Sequence, residues 1–126
     1  MYHVDITNAG DSIFKVKSAN YEFTVDTKGN GITPPDTLLA SLGTCIGVYI
    51  RKYAEGLKLE IEEFSISVSA DFAEDKPVRF KDIKVLIDLK GLELDEARKN
   101  GLLRFIQNCP VHNTIENSPS INIELK

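Results

Sequence analysis

Apolar and polar residues alternate with a period of two near both ends of the chain and in its middle, and between those stretches the period lengthens to that of a helix. Tyr2, Val4 and Ile6 alternate with His3, Asp5 and Thr7, and Tyr21, Phe23 and Val25 alternate with Glu22, Thr24 and Asp26, the pattern of half-buried strands. Phe14 and Val16 lie between them, and the turn residues at 8–11 and 18–20 suit hairpins, so about 1–27 is expected to form a three-stranded meander. Gly29, Asn30, Gly31, Pro34 and Pro35 then end the sheet. A central helix over about 35–55 is expected next. Thr33 is a candidate cap, Asp36 sits where the helix dipole favours an acid, and Gly56 is a natural stop. Leu38, Leu42, Cys45, Tyr49 and Tyr53 recur at helical spacing between them.

The second half is expected to run through two strands, a second helix and a closing strand, and no internal repeat appears. Phe64, Ile66, Val68, Ala70 and Phe72 alternate with serines and Asp71, and Ile83, Val85, Ile87 and Leu89 form another alternating run, placing two strands within about 58–90. Ile61 is out of phase, which puts an expected bulge near Glu62 and Glu63. Leu94, Leu102, Phe105, Ile106 and Cys109 mark a second helix over about 94–108, with Asp95 and Glu96 in its first turn and Pro110 at its end. A short turn or helix through His112 and Ile115 leads to a last strand at about 120–125, built on Ile121, Ile123 and Leu125. The order is that of an α+β domain spanning 1–126, not of alternating βαβ units.

Composition narrows the function. At 126 residues, 42% hydrophobic and 27% charged, the chain is expected to form one ordinary globular domain. The net charge of -4 is dispersed and no run of Lys or Arg tracks a phosphate backbone, so nucleic acid is not an expected partner. No glycine-rich phosphate loop follows a strand. The apolar stretch at 38–50 is shorter than the ~20 residues of a membrane span, so no membrane association is expected either. Met1 to Asp5 carries no secretory pattern, and the expected location is the cytoplasm. In that reducing compartment the two cysteines are expected to be reactive rather than structural. A zinc site gets little support, because Cys45, Cys109, His112 and His3 are the only sulfur and nitrogen candidates. No cofactor and no metal is expected.

A pair of thiols suffices for a reductive cycle. A thiolate that attacks a peroxide oxygen becomes a sulfenic acid, and a second thiol converts it to a disulfide before it oxidises further. A thiol in the middle of a helix has no dipole end to favour its charge, so Cys45 calls for a nearby cation. Cys109 is better placed, since Pro110 can start a short helix whose N-terminus favours the Cys109 thiolate.

The residues 33–45, Thr-Pro-Pro-Asp-Thr-Leu-Leu-Ala-Ser-Leu-Gly-Thr-Cys, resemble the first cysteine motif of the OsmC/Ohr family. Asn108-Cys109-Pro110-Val111-His112 resembles the second. The resemblance implies an OsmC-like fold, with antiparallel sheets wrapped around a central helix in an intertwined homodimer. It implies that Cys45 is the peroxidatic thiol, that Cys109 resolves it, and that Asp36 stands where the family uses an acid to hold an arginine near the reactive sulfur. The implied substrate is an organic hydroperoxide, and the implied reductant is a dithiol such as a protein-bound lipoyl group. No arginine precedes Arg51, although the family's activating arginine comes from the N-terminal strands. That departure supports the alternative of a non-catalytic OsmC-like ligand-binding or redox-sensing dimer. A structural dimerisation domain is a third reading.

Blander roles compete at each position. A cysteine on an apolar helix face is usually a small core residue, His112 is expected at a surface or interface, and Asp36 is explained by the dipole alone. Gly43 and Gly47, with Ala40, make a small-residue face expected to meet the partner subunit's helix in preference to the chain's own sheet.

Overall fold

The computed structural model describes residues 1–126, and its internal contacts divide them into two compact units, 1–40 and 41–126. In the first unit β1 (Asp5–Asn8), β2 (Ile13–Ser18) and β3 (Tyr21–Asp26) form an antiparallel meander. Its register pairs Ile6 with Val16 and Val16 with Phe23, and pairs Phe14 with Val25. These side chains therefore share one face, while Asp5, Lys17 and Glu22 line up with alternating charge on the other. The apolar face is largely uncovered. Ile6 is 59% exposed and Phe23 46%, and only Val25 is buried.

The loop after β3 is organised by Asp26, whose buried carboxylate accepts the backbone N–H of Lys28 at 2.9 Å and of Asn30 at 3.2 Å. Those donors, Lys28 first, hold the Asp26 carboxyl below the usual carboxylate range against the opposing effect of burial. Thr33 then starts the long helix α1 (Pro34–Leu57). Its hydroxyl accepts the Asp36 N–H and donates to Asp36 Oδ2 at 2.8 Å, satisfying an otherwise orphaned donor of the first turn.

In the second unit β4 (Ser65–Phe72) and β5 (Phe80–Asp88) form an antiparallel pair. The pairs Ile66–Ile87, Val68–Val85 and Ala70–Ile83 put one apolar face against α1. Gly43 and Gly47 make that approach possible. A Cβ on Gly43 would come within 2.9 Å of Val68 Cγ2, and one on Gly47 within 3.4 Å of Ile66 Cδ1. The small-residue face thus meets the chain's own β4, which corrects the expectation that it meets a partner helix. The core is Leu42, Ile46, Ile50 and Ala54 of α1 with Ile61, Leu102, Ile106 and Cys109.

Further details differ from the sequence expectations. The bulge lies at Asp71 and Phe72, not near Glu62. Residues 59–64 form no strand, and there Arg51 reaches across from α1 to donate to the carbonyls of Ile61 and Glu62 and stacks over the Phe64 ring. The second helix divides into α2 (Glu96–Phe105), a 3-10 turn at Ile106–Asn108 and α3 (Pro110–Glu116). Asp95 is the cap of α2, accepting the Arg98 N–H at 2.8 Å, and so precedes its first turn. Residues 118–126 pair with no strand in the single chain, and Ile121, Ile123 and Leu125 are each more than four-fifths exposed (81%, 89% and 102%).

Candidate active site

Each cysteine is placed by a local rule. Cys45 lies mid-way along α1 on the stripe it shares with Tyr49 and Tyr53, and it is partly exposed. Cys109 ends the 3-10 turn in an extended conformation and caps α3, with Pro110 at the first helical position, where proline's fixed φ and missing N–H do no harm. Its Sγ accepts the His112 N–H at 3.4 Å, and the residue has no solvent exposure.

The fold brings these two thiols together. Cys109 lies beside Cys45, and the neighbouring thiol favours the protonated form of Cys109. Burial is the largest influence and pushes the Cys109 thiol above its ordinary range, with the neighbouring Cys45 adding to the effect. The backbone N–H groups of His112 and Val111 pull the other way and lose. The sequence expectation of a favoured Cys109 thiolate is corrected here: the cap exists, but desolvation outweighs it. Cys109 is a protonated thiol in a dry setting beside a more accessible one.

One turn along, a second contact repeats the first. Tyr49, which follows Cys45 on α1, packs on Phe105, which precedes Cys109, with ring centroids 5.8 Å apart. Tyr53 also meets Phe105, at 5.6 Å, and donates its hydroxyl to the Arg98 carbonyl at 3.0 Å. Helical spacing marks Tyr49, Tyr53 and Phe105 only as members of apolar stripes. What the spacing does not show is that they continue the line of the two thiols.

Asp36 lies in the first turn of α1, exposed, with its carboxylate engaged by Thr33. Arg51 is committed to the carbonyls of Ile61 and Glu62. Arg79 pairs with Asp75 at 3.2 Å and donates to the Pro77 carbonyl, and Arg98 pairs with Asp95 at 2.8 Å. The cation on the thiol stripe is instead Lys52, whose Nζ stands 4.7 Å from the centre of the Tyr49 ring.

A cavity of about 170 Å³ lies beside α3, lined by Leu42, Ile46, Ile83, Val85, His112 and Ile115. A larger one, about 630 Å³, lies between β5 and α2 and includes neither cysteine. Neither cavity is lined by a cysteine. No group of three or more His, Cys, Asp or Glu side chains is arranged to hold a metal ion.

The sequence profile described as OsmC-like protein matches residues 26–124, a span that includes both cysteines. The chain belongs to the OsmC-like protein family. Solved structures show the same fold. An OsmC-like protein of Mycoplasma pneumoniae superposes with a TM-score of 0.80 at 18% identity, covering 94% of this chain and 89% of its own. A Psychrobacter arcticus protein whose name links it to osmotic stress and detoxification gives 0.79 at 24% identity, covering 90% and 88%. A Legionella pneumophila organic hydroperoxide resistance protein gives 0.65 at 20% identity, covering 93% and 91%. No curated protein matches the chain. The α+β class and the antiparallel sheets expected of an OsmC-like chain are therefore present, and no helix is long and apolar enough to cross a membrane.

Proposed function

We propose that this OsmC-like protein is a thiol peroxidase that reduces organic hydroperoxides, with Cys45 as nucleophile and Cys109 as resolving thiol. The observation that carries this reading is the contact between a partly exposed and a fully buried thiol. The accessible sulfur is the one a peroxide can reach. The buried sulfur, held protonated, is spared direct oxidation and waits beside the sulfenic acid. When Cys109 attacks Cys45–S–OH, the S–S bond forms, the S–OH bond breaks, and the Cys109 proton leaves with the hydroxide as water. An external dithiol then reduces the disulfide. Solved OsmC-like chains named for organic hydroperoxide resistance support the substrate class. Asp36, already ordered by Thr33, is the acid we assign to orient a cation toward the site.

The working form is a homodimer in the cytoplasm. Its support is the uncovered apolar face of β1 to β3 and the unpaired apolar tail at 121–125, surfaces of the kind that mark association. The alternative, a ligand-binding or redox-sensing dimer without turnover, is favoured by one observation: three of the four arginines, Arg51, Arg79 and Arg98, are engaged elsewhere. A cumene hydroperoxide consumption assay with a dithiol reductant separates the two. Repeated turnover that disappears in Cys45→Ser supports the peroxidase; a single oxidation without turnover supports the sensor.

A further inference from the structure

Tyr49 follows Cys45 by one turn of α1, and side chains so spaced are neighbours on a helix face, about 5–6 Å apart at Cβ. A long helical side chain leans toward the helix N-terminus, over the turn before its own Cα, and for Tyr49 that turn carries Cys45. The ring is held from two sides, by Phe105 at 5.8 Å and by the Lys52 ammonium 4.7 Å from its centre. Tyr53 one turn on has its hydroxyl engaged by the Arg98 carbonyl, whereas the Tyr49 hydroxyl makes no hydrogen bond within the chain. A fixed, partly exposed ring therefore offers an O–H without a partner in the chain on the helix face that carries the accessible thiol.

Resting on the peroxidase reading above, we propose that Tyr49 is the proton donor of the peroxide-cleaving step, giving its hydroxyl proton to the departing alkoxide. The Cys45 thiolate attacks the terminal oxygen of R–O–O–H. The S–O bond forms and the O–O bond breaks, so the sulfur is oxidised to a sulfenic acid and the peroxide is reduced to R–O⁻. The Tyr49 proton converts R–O⁻ to R–OH, and water then returns a proton to the phenolate. An alkoxide is a far stronger base than a phenolate, so a phenol is a competent acid for this step. The Lys52 ammonium over the ring attracts the charge that develops there. Lys52 thus acts through Tyr49 as a positioning and charge-balancing residue.

The test compares two peroxides that differ in what leaves. tert-Butyl hydroperoxide expels an alkoxide that needs a proton, whereas peroxybenzoic acid expels a carboxylate that does not. Tyr49→Phe keeps the ring, its contact with Phe105 and its place under Lys52. The rate of Cys45 oxidation in Tyr49→Phe is expected to fall about 100-fold with tert-butyl hydroperoxide and to stay unchanged with peroxybenzoic acid. An equal fall with both peroxides makes Tyr49 merely structural, and no fall with either removes it from the reaction; both outcomes overturn the proposal while leaving the peroxidase reading standing. A wild-type protein in which Cys45 reacts with neither peroxide overturns that reading, and this inference with it.

Discussion

The Cys109 sulfur, fully buried, lies beside the partly exposed sulfur of Cys45. The asymmetry comes from backbone geometry. Cys109 is turned inward by the 3-10 turn that ends at Asn108 and is fixed there as the cap of α3, while Cys45 rides on the edge of the buried stripe of α1.

Oxidation should begin at Cys45. With substoichiometric cumene hydroperoxide, a dimedone-type trap is expected to label Cys45 in Cys109→Ser and to leave Cys109 unlabelled in Cys45→Ser. Burial alone predicts this order, and the protonated state of Cys109 reinforces it, because the thiolate is the nucleophile. Labelling of Cys109 in the second variant would reassign the roles.

The raised Cys109 thiol also makes a stability prediction. A folded-state pKa above the unfolded value means that the folded protein holds a proton the unfolded chain releases. Stability is therefore complete below the unfolded thiol range, about 8.5, and declines as pH rises from there through the folded value. Urea denaturation of the reduced protein at pH 7 and pH 9.5 should show that decline in wild type and a smaller one in Cys109→Ala, after allowance for the cavity the variant leaves.

Asp26 has the opposite sign. Its carboxyl is held low by the Lys28 and Asn30 amides, so its contribution is present above the unfolded Asp range, about 3.9, and is lost as pH falls through the folded value. Asp26→Asn should be less stable than wild type at pH 7 and show less acid-induced loss. Hydrogen exchange at Lys28 and Asn30 should accelerate in the variant, since those amides lose a charged acceptor.

Most of the fold is legible in the sequence because its elements are amphipathic at their own periods. The alternation of Ile66, Val68 and Ala70 predicts β4, and Gly56 places the end of α1 within a residue or two. What spacing cannot supply is three-dimensional competition for a group. Nothing in the spacing shows that Arg51 is consumed by the Ile61 and Glu62 carbonyls. Cys109 reads as a helix-cap thiolate and is neutralised by burial. The partnership of Tyr49 with Phe105 joins residues far apart in the chain, and only an aromatic at each position one turn from a cysteine hints at it.

Two glycines of α1 should respond oppositely to alanine. At Gly43 a new Cβ meets the stiff β-branched side chain of Val68 at 2.9 Å, so an overpacking cost of about 1–3 kcal/mol should cancel or exceed the gain of about 1 kcal/mol in helix propensity. At Gly56 nothing lies within 4 Å. Gly56→Ala should stabilise by up to about 1 kcal/mol, less any fraying at the helix end. Thermal denaturation of both variants checks the contrast, and stabilisation at Gly43 would mean that β4 is not seated on α1.

The last prediction concerns association. Ile6, Phe14, Val16, Phe23 and Val25 share one face of the meander, yet Ile6 and Phe23 remain about half exposed in the single chain. A surface of this kind has little reason to stay wet, and a second copy supplies both a complementary apolar face and a free tail to cover it. Light scattering is expected to give about twice the 14.0 kDa of one chain. Phe23→Asp introduces a charge at the centre of that face without touching either cysteine. It should weaken the dimer by at least ~2 kcal/mol, about 30-fold in Kd, with the β-sheet signal retained because Phe23 points away from the backbone ladder. A wild-type chain that remains monomeric and folded at micromolar concentration would remove the homodimer from the proposal, leaving the thiol pair, which lies within one chain, unaffected.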